Sequence, residues 1–337
     1  MVRREASHAG SWYTDDGPTL SSQLDQWLDQ VPDTIDGVGD IPSKGARIII
    51  APHAGYSYSG PPAAWAYKSL DLSQAKRIFL LGPSHHVYLS GCALSQCDSY
   101  ETPLGDLKLD RTTIEELEAT GKFDSMSQST DEDEHSLEMH LPYIYKVLSR
   151  SFSSPFEYPL LIPILVGATS RQTERSFGSL LAPYLRDPTS VFIISSDFCH
   201  WGLRFRYTYY LPSLSTSSSA HNDDDDSADA TSGHTLRSGD RPPKDPPIHE
   251  SIARLDRLAM RAVESGSHGT FLNNLRDTGN TVCGRHPIGL VMAALETLNL
   301  DASSGKGRFK FVRYERSSDC VRVTDSSVSY ASAFAVL

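Results

Sequence analysis

Histidines follow three apolar segments of the sequence, and histidine side chains can bind metals or transfer protons near neutral pH. His53 follows RIIIAP, His85 and His86 follow RIFLLGPS, and Asp197 and His200 end TSVFIISSDFCH. A single histidine after such a run is most often a turn residue that is bonded to backbone. Three segments that repeat one arrangement favour a shared site, in which titratable side chains converge.

One cysteine is placed as a functional cysteine would be. Cys283 precedes Gly284, Arg285 and His286, directly before a helix predicted over 288–298. A thiol near a helix start and an arginine has a lowered pKa. We therefore expect Cys283 to be a good metal ligand or nucleophile.

An acidic segment over 127–148 contains His135 and Glu138, which share one face of a predicted helix. This spacing also occurs in carboxylate metal sites. Thr130 and the acidic residues beside it fall in the predicted first turn, where they satisfy free backbone amides. The pair either binds a metal directly, supports a ligand through a hydrogen bond, or belongs to an ordinary helix cap.

Aromatic residues accompany these segments. Trp12 lies outside the apolar stripe of a helix predicted over 18–30, and it either closes the end of the sheet or forms a wall of the pocket. Tyr56 and Tyr58 fall in the turn after His53. They either point into the pocket or, as is at least as common for a residue like Tyr56, pack beneath the loop.

The elements that must position these residues are buried strands. The runs before His53, His85 and Asp197, and a further run over 158–167, are rich in β-branched and other apolar residues and alternate with helical patterns. We predict a single α/β domain over 1–337, with a central, mostly parallel sheet flanked by helices. The last two strands, FKFVRYER and SSVSYASAFAVL, are expected to be antiparallel at the sheet edge. The histidines then lie at the carboxyl ends of strands, where open α/β sheets bind ligands.

A segment at about 213–247 departs from this pattern. It contains a serine run, four consecutive aspartates and a Pro-Pro pair, with almost no large apolar residue. Such a composition cannot bury enough surface to offset the entropy of ordering. We predict a disordered insert in one loop, because the sequence on both sides contributes to the site.

Composition excludes several functions. The 337 residues carry a formal charge of −11, and no basic stripe of the kind that binds nucleic acid is present. No apolar run has the length of a membrane span, and the N-terminus lacks a signal-peptide core. The five scattered cysteines do not resemble a disulfide framework. We expect a soluble protein of the cytoplasm, and also of the nucleus, with reduced thiols.

Seven ordered motifs together resemble the Memo family, the mediators of receptor-driven cell motility. They cover nearly all of the chain except the insert: EASHAGSWY, APHAGYSYSG, LGPSHH, TDEDEHSLEMHLP, SSDFCHWG, CGRHPIG and SSVSYA. The family's fold is similar to that of the extradiol, class III non-haem iron dioxygenases. The resemblance therefore implies a dioxygenase-like site.

The resemblance implies that His53, His85 and Cys283 face a metal, with Asp197 and His200 beside them. The related dioxygenases hold Fe(II) with two histidines and a carboxylate, and this sequence offers a softer, oxidisable thiol in place of the carboxylate. The implied cofactor is Fe(II) or a copper ion, and the implied activity is redox chemistry. His200, oriented by Asp197, would then act as a general acid or base.

The same resemblance also implies a different function, a signalling adaptor that binds phosphotyrosine-containing peptides without turnover. Trp12, Tyr58 and His200 would line the peptide pocket, and Arg285 would help to accept the phosphate. Weaker alternatives are zinc-assisted hydrolysis and a Cys283 nucleophile with His200 as its base. A purely structural use of all these residues is the remaining alternative.

Overall fold

The computed structural model describes residues 2–212 and 232–337. Within these residues, nine strands form a central sheet. In chain order they are β1 (Ala46–Ala51), β2 (Arg77–Pro83), β3 (Cys92–Leu94), β4 (Asp124–Ser125), β5 (Leu160–Val166), β6 (Ser190–Ser195), β7 (His200–Trp201), β8 (Phe309–Arg316) and β9 (Ser327–Val336). Their spatial order is β7-β9-β1-β6-β2-β5-β3-β4, and β8 pairs with β9.

The centre of this sheet is parallel. Strands β1, β6, β2 and β5 are neighbours in that order, with Ile193 opposite both Ile49 and Leu80. Nearly every residue of these strands is buried, as both faces of a parallel sheet must be when helices cover them. Strands β8 and β9 run antiparallel at one side. The predicted α/β domain, with a mostly parallel sheet and an antiparallel edge, is confirmed.

Ten α-helices in the described residues connect and flank the strands. They are α1 (Gly17–Gln30), α2 (Tyr56–Ser69), α3 (Arg111–Glu118), α4 (Gln128–Asp133), α5 (His135–Glu138), α6 (Leu141–Ser151), α7 (Arg171–Arg186), α8 (Ile248–Glu264), α9 (His268–Thr278) and α10 (Arg285–Thr297). Their apolar stripes face the sheet or one another, for example Leu20, Leu24 and Leu28 of α1. None of the helices in the described part of the chain is long and apolar enough to cross a membrane.

Helix α2 begins earlier than its sequence suggests. Gly60-Pro61-Pro62 is a typical helix opening, yet these residues lie inside a helix that starts at Tyr56. The Tyr56 amide donates to the Trp12 carbonyl at 2.9 Å, and its ring packs 5.3 Å from that of Tyr13. Tertiary contacts therefore stabilise one helical turn ahead of the prolines.

The acidic segment forms three short helices, α4 to α6, where the sequence pattern suggested one. Ser127, not Thr130, caps the first by accepting from the Thr130 amide at 3.1 Å. The chain turns at Glu134, whose carboxylate accepts from the amides of Ser136 and His85. This break directs His135 towards the carboxyl ends of the central strands.

The predicted insert at about 213–247 is only partly described. Residues 213–231 lie outside the described part of the chain. Residues 232–247 include a strand, His234–Thr235, that pairs with Tyr209–Tyr210, and Leu236 is buried with Tyr210 and Trp201. These few apolar contacts attach the second half of the segment to the fold.

Five further small strands and three turns of 3-10 helix complete the described structure. Arg3–Arg4, Ser99–Tyr100 and Leu107–Lys108 form a three-stranded sheet, Thr34–Ile35 pairs with Gly39–Asp40, and the 3-10 turns are Pro155–Glu157, Leu203–Phe205 and Ala302–Ser304. The small sheet brings the N-terminal segment with His8 and Trp12 against α4 and α5.

Candidate metal centre

Three adjacent parallel strands deliver the main site residues. His53 lies two residues beyond β1, His85 two beyond β2, and Asp197 two beyond β6, which runs between the other two. The rings of His53 and His85 are consequently 5.3 Å apart, centroid to centroid. The crevice at the carboxyl ends of the strands brings together residues that are far apart in the sequence.

The ring of His53 is held in one tautomer. Its Nδ1 lies 2.6 Å from Ser195 Oγ, and Ser195 Oγ donates its own proton to the Ser136 carbonyl at 2.7 Å. His53 Nδ1 must therefore carry the proton and donate it, which leaves the Nε2 lone pair free. Burial, reinforced by the neighbouring histidines, lowers the pKa of His53 well below its ordinary value, so the ring is neutral.

The ring of His85 is oriented by a carboxylate. Its Nδ1 lies 2.8 Å from Glu134 Oε1, and its amide donates to Glu134 Oε2 at 2.7 Å. Burial raises the pKa of Glu134, but its hydrogen bonds with the ring and the backbone amide of His85 outweigh burial and lower the pKa to about 2. The ionised Glu134 fixes the proton on Nδ1 and leaves Nε2 of His85 free, an arrangement common among metal-binding histidines.

His135 completes a group of three imidazoles. One ligand atom each from His53, His85 and His135 lies within 4.8 Å of the other two. The His135 ring stacks on His85, with centroids 4.3 Å apart, and packs against Trp12 in a tilted arrangement at 4.6 Å. Burial and the neighbouring His85 lower the pKa of His135 to about 3, so this ring also keeps a lone pair at neutral pH.

Glu138, the partner of His135 in the sequence motif, turns to the N-terminal segment. It accepts from Arg4 Nη1 at 2.7 Å and from Tyr13 Oη at 2.8 Å, and it lies 2.9 Å from His8 Nδ1. Glu138 is not among the three clustered residues. Its contacts instead anchor the N-terminal segment, which carries Trp12.

Cys283 lies against the histidine cluster. Its Sγ is 3.2 Å from His53 Nε2 and accepts from the Asp197 amide at 3.1 Å. Burial raises the pKa of the Cys283 thiol well above its ordinary value, and the Asp197 carboxylate adds to this effect. The expectation of a lowered pKa is wrong for the protein without metal, because the sulfur is buried beside a carboxylate and Arg285 lines a different cavity.

Asp197 and His200 both face the cavity, but they are not hydrogen-bonded to each other. Asp197 Oδ1 accepts from the His53 amide at 2.9 Å, and burial raises the pKa of this carboxyl. His200 Nδ1 donates to the Phe198 carbonyl at 2.9 Å, so that carbonyl, and not Asp197, orients the ring. The Nε2 atom of His200 remains available to a ligand.

The cavity above the cluster has a volume of about 500 Å³. Trp12 and Tyr58 form part of its wall and are 37% and 55% exposed, whereas Tyr56 is buried and donates to the Met139 carbonyl at 2.8 Å. Of the alternatives for Trp12, the wall is therefore the one observed. Arg204, which stacks on Phe205, supplies a cation that the sequence analysis did not single out.

Three supporting residues were also missed by the sequence analysis. Glu134 belongs to an acidic run that was interpreted as a cap, Ser195 ends a strand, and Arg204 follows the Trp201-Gly202 pair without any periodic pattern. Only Glu134 carried a usable signal, because a buried carboxylate next to a histidine is a common support for metal ligands.

The regions that match known proteins cover almost the whole chain. A family model described as Memo-like protein matches residues 4–334. The chain is 47% identical over 331 residues to Protein MEMO1 of Rattus norvegicus, covering 98% of this chain and 96% of the relative. It is 46% identical to Protein MEMO1 of Homo sapiens, with the same coverage. It is 41% identical to a MEMO1 family protein of Schizosaccharomyces pombe, covering 98% of each.

Proposed function

Since this chain belongs to the Memo family, we propose that it binds one iron or copper ion and has redox activity. His53, His85 and Cys283 are the proposed ligands, and His135 is a further candidate ligand. The proposal is carried by one observation: Ser195 and Glu134 fix the Nδ1 protons of two histidines, so both Nε2 lone pairs are free, and that of His53 lies beside a thiol.

The distances between donor atoms suit a shared ion. Nitrogen and sulfur atoms bound at about 2.0 and 2.3 Å to one metal lie roughly 3 to 3.6 Å apart, and Cys283 Sγ lies 3.2 Å from His53 Nε2. The three imidazole ligand atoms are within 4.8 Å of one another. Imidazole suits iron, copper and zinc, and a thiolate favours the softer metals.

Other residues of the chain would orient the ligands of the ion and exchange protons with a bound molecule. A bound ion of this kind supplies one-electron chemistry and open coordination positions. Glu134 and Ser195 orient the two histidines, and Asp197 holds the His53 amide at the end of β1. His200, whose Nε2 faces the cavity, is placed to take up or return a proton from a bound molecule.

The experiment is anaerobic loading of chelator-free protein with Fe(II) or Cu, followed by elemental analysis. We expect about one ion per chain, with a loss of binding in His53→Ala and His85→Ala. Loss of a sulfur-to-metal absorption band in Cys283→Ser would identify the thiolate, and loss of stoichiometric binding in His135→Phe would identify the third imidazole.

His86→Ala is the matched control, because His86 neighbours His85 in the sequence but is not one of the proposed ligands. It should bind metal as wild type does. Metal-loaded protein should also catalyse ascorbate oxidation by oxygen, at a rate that falls in His53→Ala. The proposal is wrong if wild-type protein binds neither ion, or if it binds an ion without any redox turnover.

A second candidate function is recognition of a phosphotyrosine-containing peptide in the same cavity. The observation in its favour is an open wall of Trp12 and Tyr58 beside the cation of Arg204 and the ring of His200. Arg285, which the sequence analysis assigned to the phosphate, lines another cavity. Binding of the phosphate group would therefore depend on Arg204.

Titration with a phosphotyrosine peptide and its unphosphorylated twin tests this second candidate. Preferential binding of the phosphorylated peptide that is weakened in Arg204→Gln and Trp12→Ala would support it. Equal binding of the two peptides would exclude it.

A further inference from the structure

A second cavity, of about 420 Å³, opens between α7, α9 and α10. Three arginines line it: Arg171 at the start of α7, Arg276 near the end of α9, and Arg285 at the start of α10. The clustering is unusual in a chain whose formal charge is −11. It indicates a local preference for a negatively charged ligand.

Two of these guanidinium groups are available to a ligand. Arg276 pairs with Asp277 at 2.9 Å. Neither Arg171 nor Arg285 makes a side-chain hydrogen bond or ion pair to any part of the chain that the structure describes. Guanidinium groups bind phosphate and carboxylate oxygens through paired hydrogen bonds.

The carboxylate that lines this cavity does not compete for the arginines. Glu174 is buried, and its oxygens lie 2.5 Å from His268 Nε2, 3.0 Å from His286 Nδ1 and 3.1 Å from the Thr169 hydroxyl, which donates to it. Those partners already occupy both of its oxygens. The starts of α7 and α10, which border the cavity, add the positive end of two helix dipoles.

The cavity wall also contains hydrogen-bond acceptors without donors. Asn280 is 4% exposed, and its Nδ2 donates to Asp256 Oδ1 at 3.2 Å, while its Oδ1 has no partner among the described residues. His286 directs Nδ1 to Glu174, and its buried Nε2 likewise has no partner in the described structure. Both atoms are fully buried, so a ligand in the cavity does not contact them, and recognition of a ligand depends on the arginines.

We propose that the second cavity binds a small phosphate ester through its phosphate group. The phosphate would lie between Arg171 and Arg285. This site goes beyond the proposed metal function. The two cavities share one wall, since Thr281 lines the second cavity and bonds to both backbone groups of His200.

The experiment is calorimetric titration of metal-free, full-length protein with glycerol 3-phosphate, inorganic phosphate and glycerol at constant ionic strength. We expect both the ester and inorganic phosphate to bind, because each carries the phosphate group, and glycerol not to bind. Arg171→Gln and Arg285→Gln should each weaken ester binding about tenfold or more, as expected for the loss of a charge-assisted hydrogen bond.

Arg175→Gln is the matched control, because Arg175 lies one turn after Arg171 on α7 and does not line the cavity. It should bind the ester as wild type does. The inference is overturned if none of the three compounds binds, if both arginine variants bind normally, or if only Arg204→Gln abolishes binding, since Arg204 lines the first cavity. Metal content, measured on the same protein, reports on the metal proposal independently.

Discussion

At the scale of single residues, the site depends on groups that hold the proposed ligands. His53 and His85 could each place a proton on either ring nitrogen in water, and only a fixed partner selects one tautomer. Ser195 and Glu134 are those partners, at 2.6 and 2.8 Å. The supporting residues therefore matter to metal affinity almost as much as the ligands do.

Glu134→Gln tests this dependence. The amide keeps the shape of the side chain but removes the negative charge that favours a proton on His85 Nδ1, and we expect metal affinity to fall about 10- to 100-fold. The measurement is a competition titration with a chelator of known affinity. Asp133→Asn makes the same charge change at an exposed neighbour, and an equal loss in that variant would contradict the assigned role.

The lowered pKa of Glu138 predicts how the stability of the protein depends on pH. Burial raises the pKa of Glu138, but hydrogen bonds from His8 and the charge of Arg4 outweigh it and lower the pKa to about 2, from an ordinary value of 4.5. A lowered folded-state pKa means that the stabilisation is complete above about pH 4.5 and is lost as the pH falls towards 2. The difference between these two pKa values corresponds to a stabilisation of the folded state by about 3 kcal/mol.

We therefore expect Glu138→Gln to reduce the free energy of unfolding at pH 7 by roughly 3 kcal/mol, with a difference from wild type that narrows below pH 4.5. Urea denaturation at pH 7, 4 and 3 measures it. Glu115→Gln, at an exposed position of α3, should leave stability nearly unchanged. If the free energies of unfolding of Glu138→Gln and wild type differ by the same amount at every pH, the ionic role of Glu138 is contradicted.

At the scale of elements, the loop before α10 places Cys283 by packing closely on the end of β6. A Cβ on Gly284 would lie 2.3 Å from Ser196 Cβ and 2.4 Å from the Ser195 carbonyl oxygen. No larger residue fits without moving the loop or the strand end. Glycine at this position therefore sets the distance between the thiol and His53.

Gly284→Ala should displace the loop, destabilise the protein by about 1–3 kcal/mol and weaken metal binding. Thermal denaturation and metal titration measure the two effects. Gly55→Ala is the control at the cavity, because its Cβ would meet the Trp12 carbonyl oxygen at an ordinary 3.5 Å. If both variants behave alike, close packing at Gly284 does not position Cys283.

At the scale of the whole molecule, the described chain forms one α/β domain into which the segment after Pro212 is inserted. Its second half is held by specific contacts: the Leu236 amide donates to the Thr208 carbonyl at 3.0 Å, and Thr208 Oγ1 donates to the Leu236 carbonyl at 2.6 Å. The disorder predicted from composition for the first half is still to be tested.

Hydrogen exchange with peptide-level mass spectrometry tests that prediction. Amides of 213–231 should exchange within seconds, because the composition offers almost no apolar surface to bury. Amides at Leu236 and in β6 should exchange far more slowly. Slow exchange throughout 213–231 would contradict the predicted disorder.

The sequence by itself determined the fold class, the parallel direction of the buried strands and the position of His53, His85 and Asp197 at strand ends. Hydrophobic periodicity and chain breaks are local properties, so they can be interpreted without coordinates. The same local patterns placed Trp12 outside the apolar stripe of a helix and Cys283 before a helix start, although the pattern around Cys283 suggested the wrong direction for its pKa.

Only the tertiary structure decided which groups meet. Contacts between distant segments place β6 between β1 and β2 and bring Glu134 to His85. They also place the Phe198 carbonyl against His200 and Arg285 at a second cavity. Burial likewise sets the pKa of Cys283, because the charge of a thiolate is penalised by the whole environment and not by its neighbours in sequence.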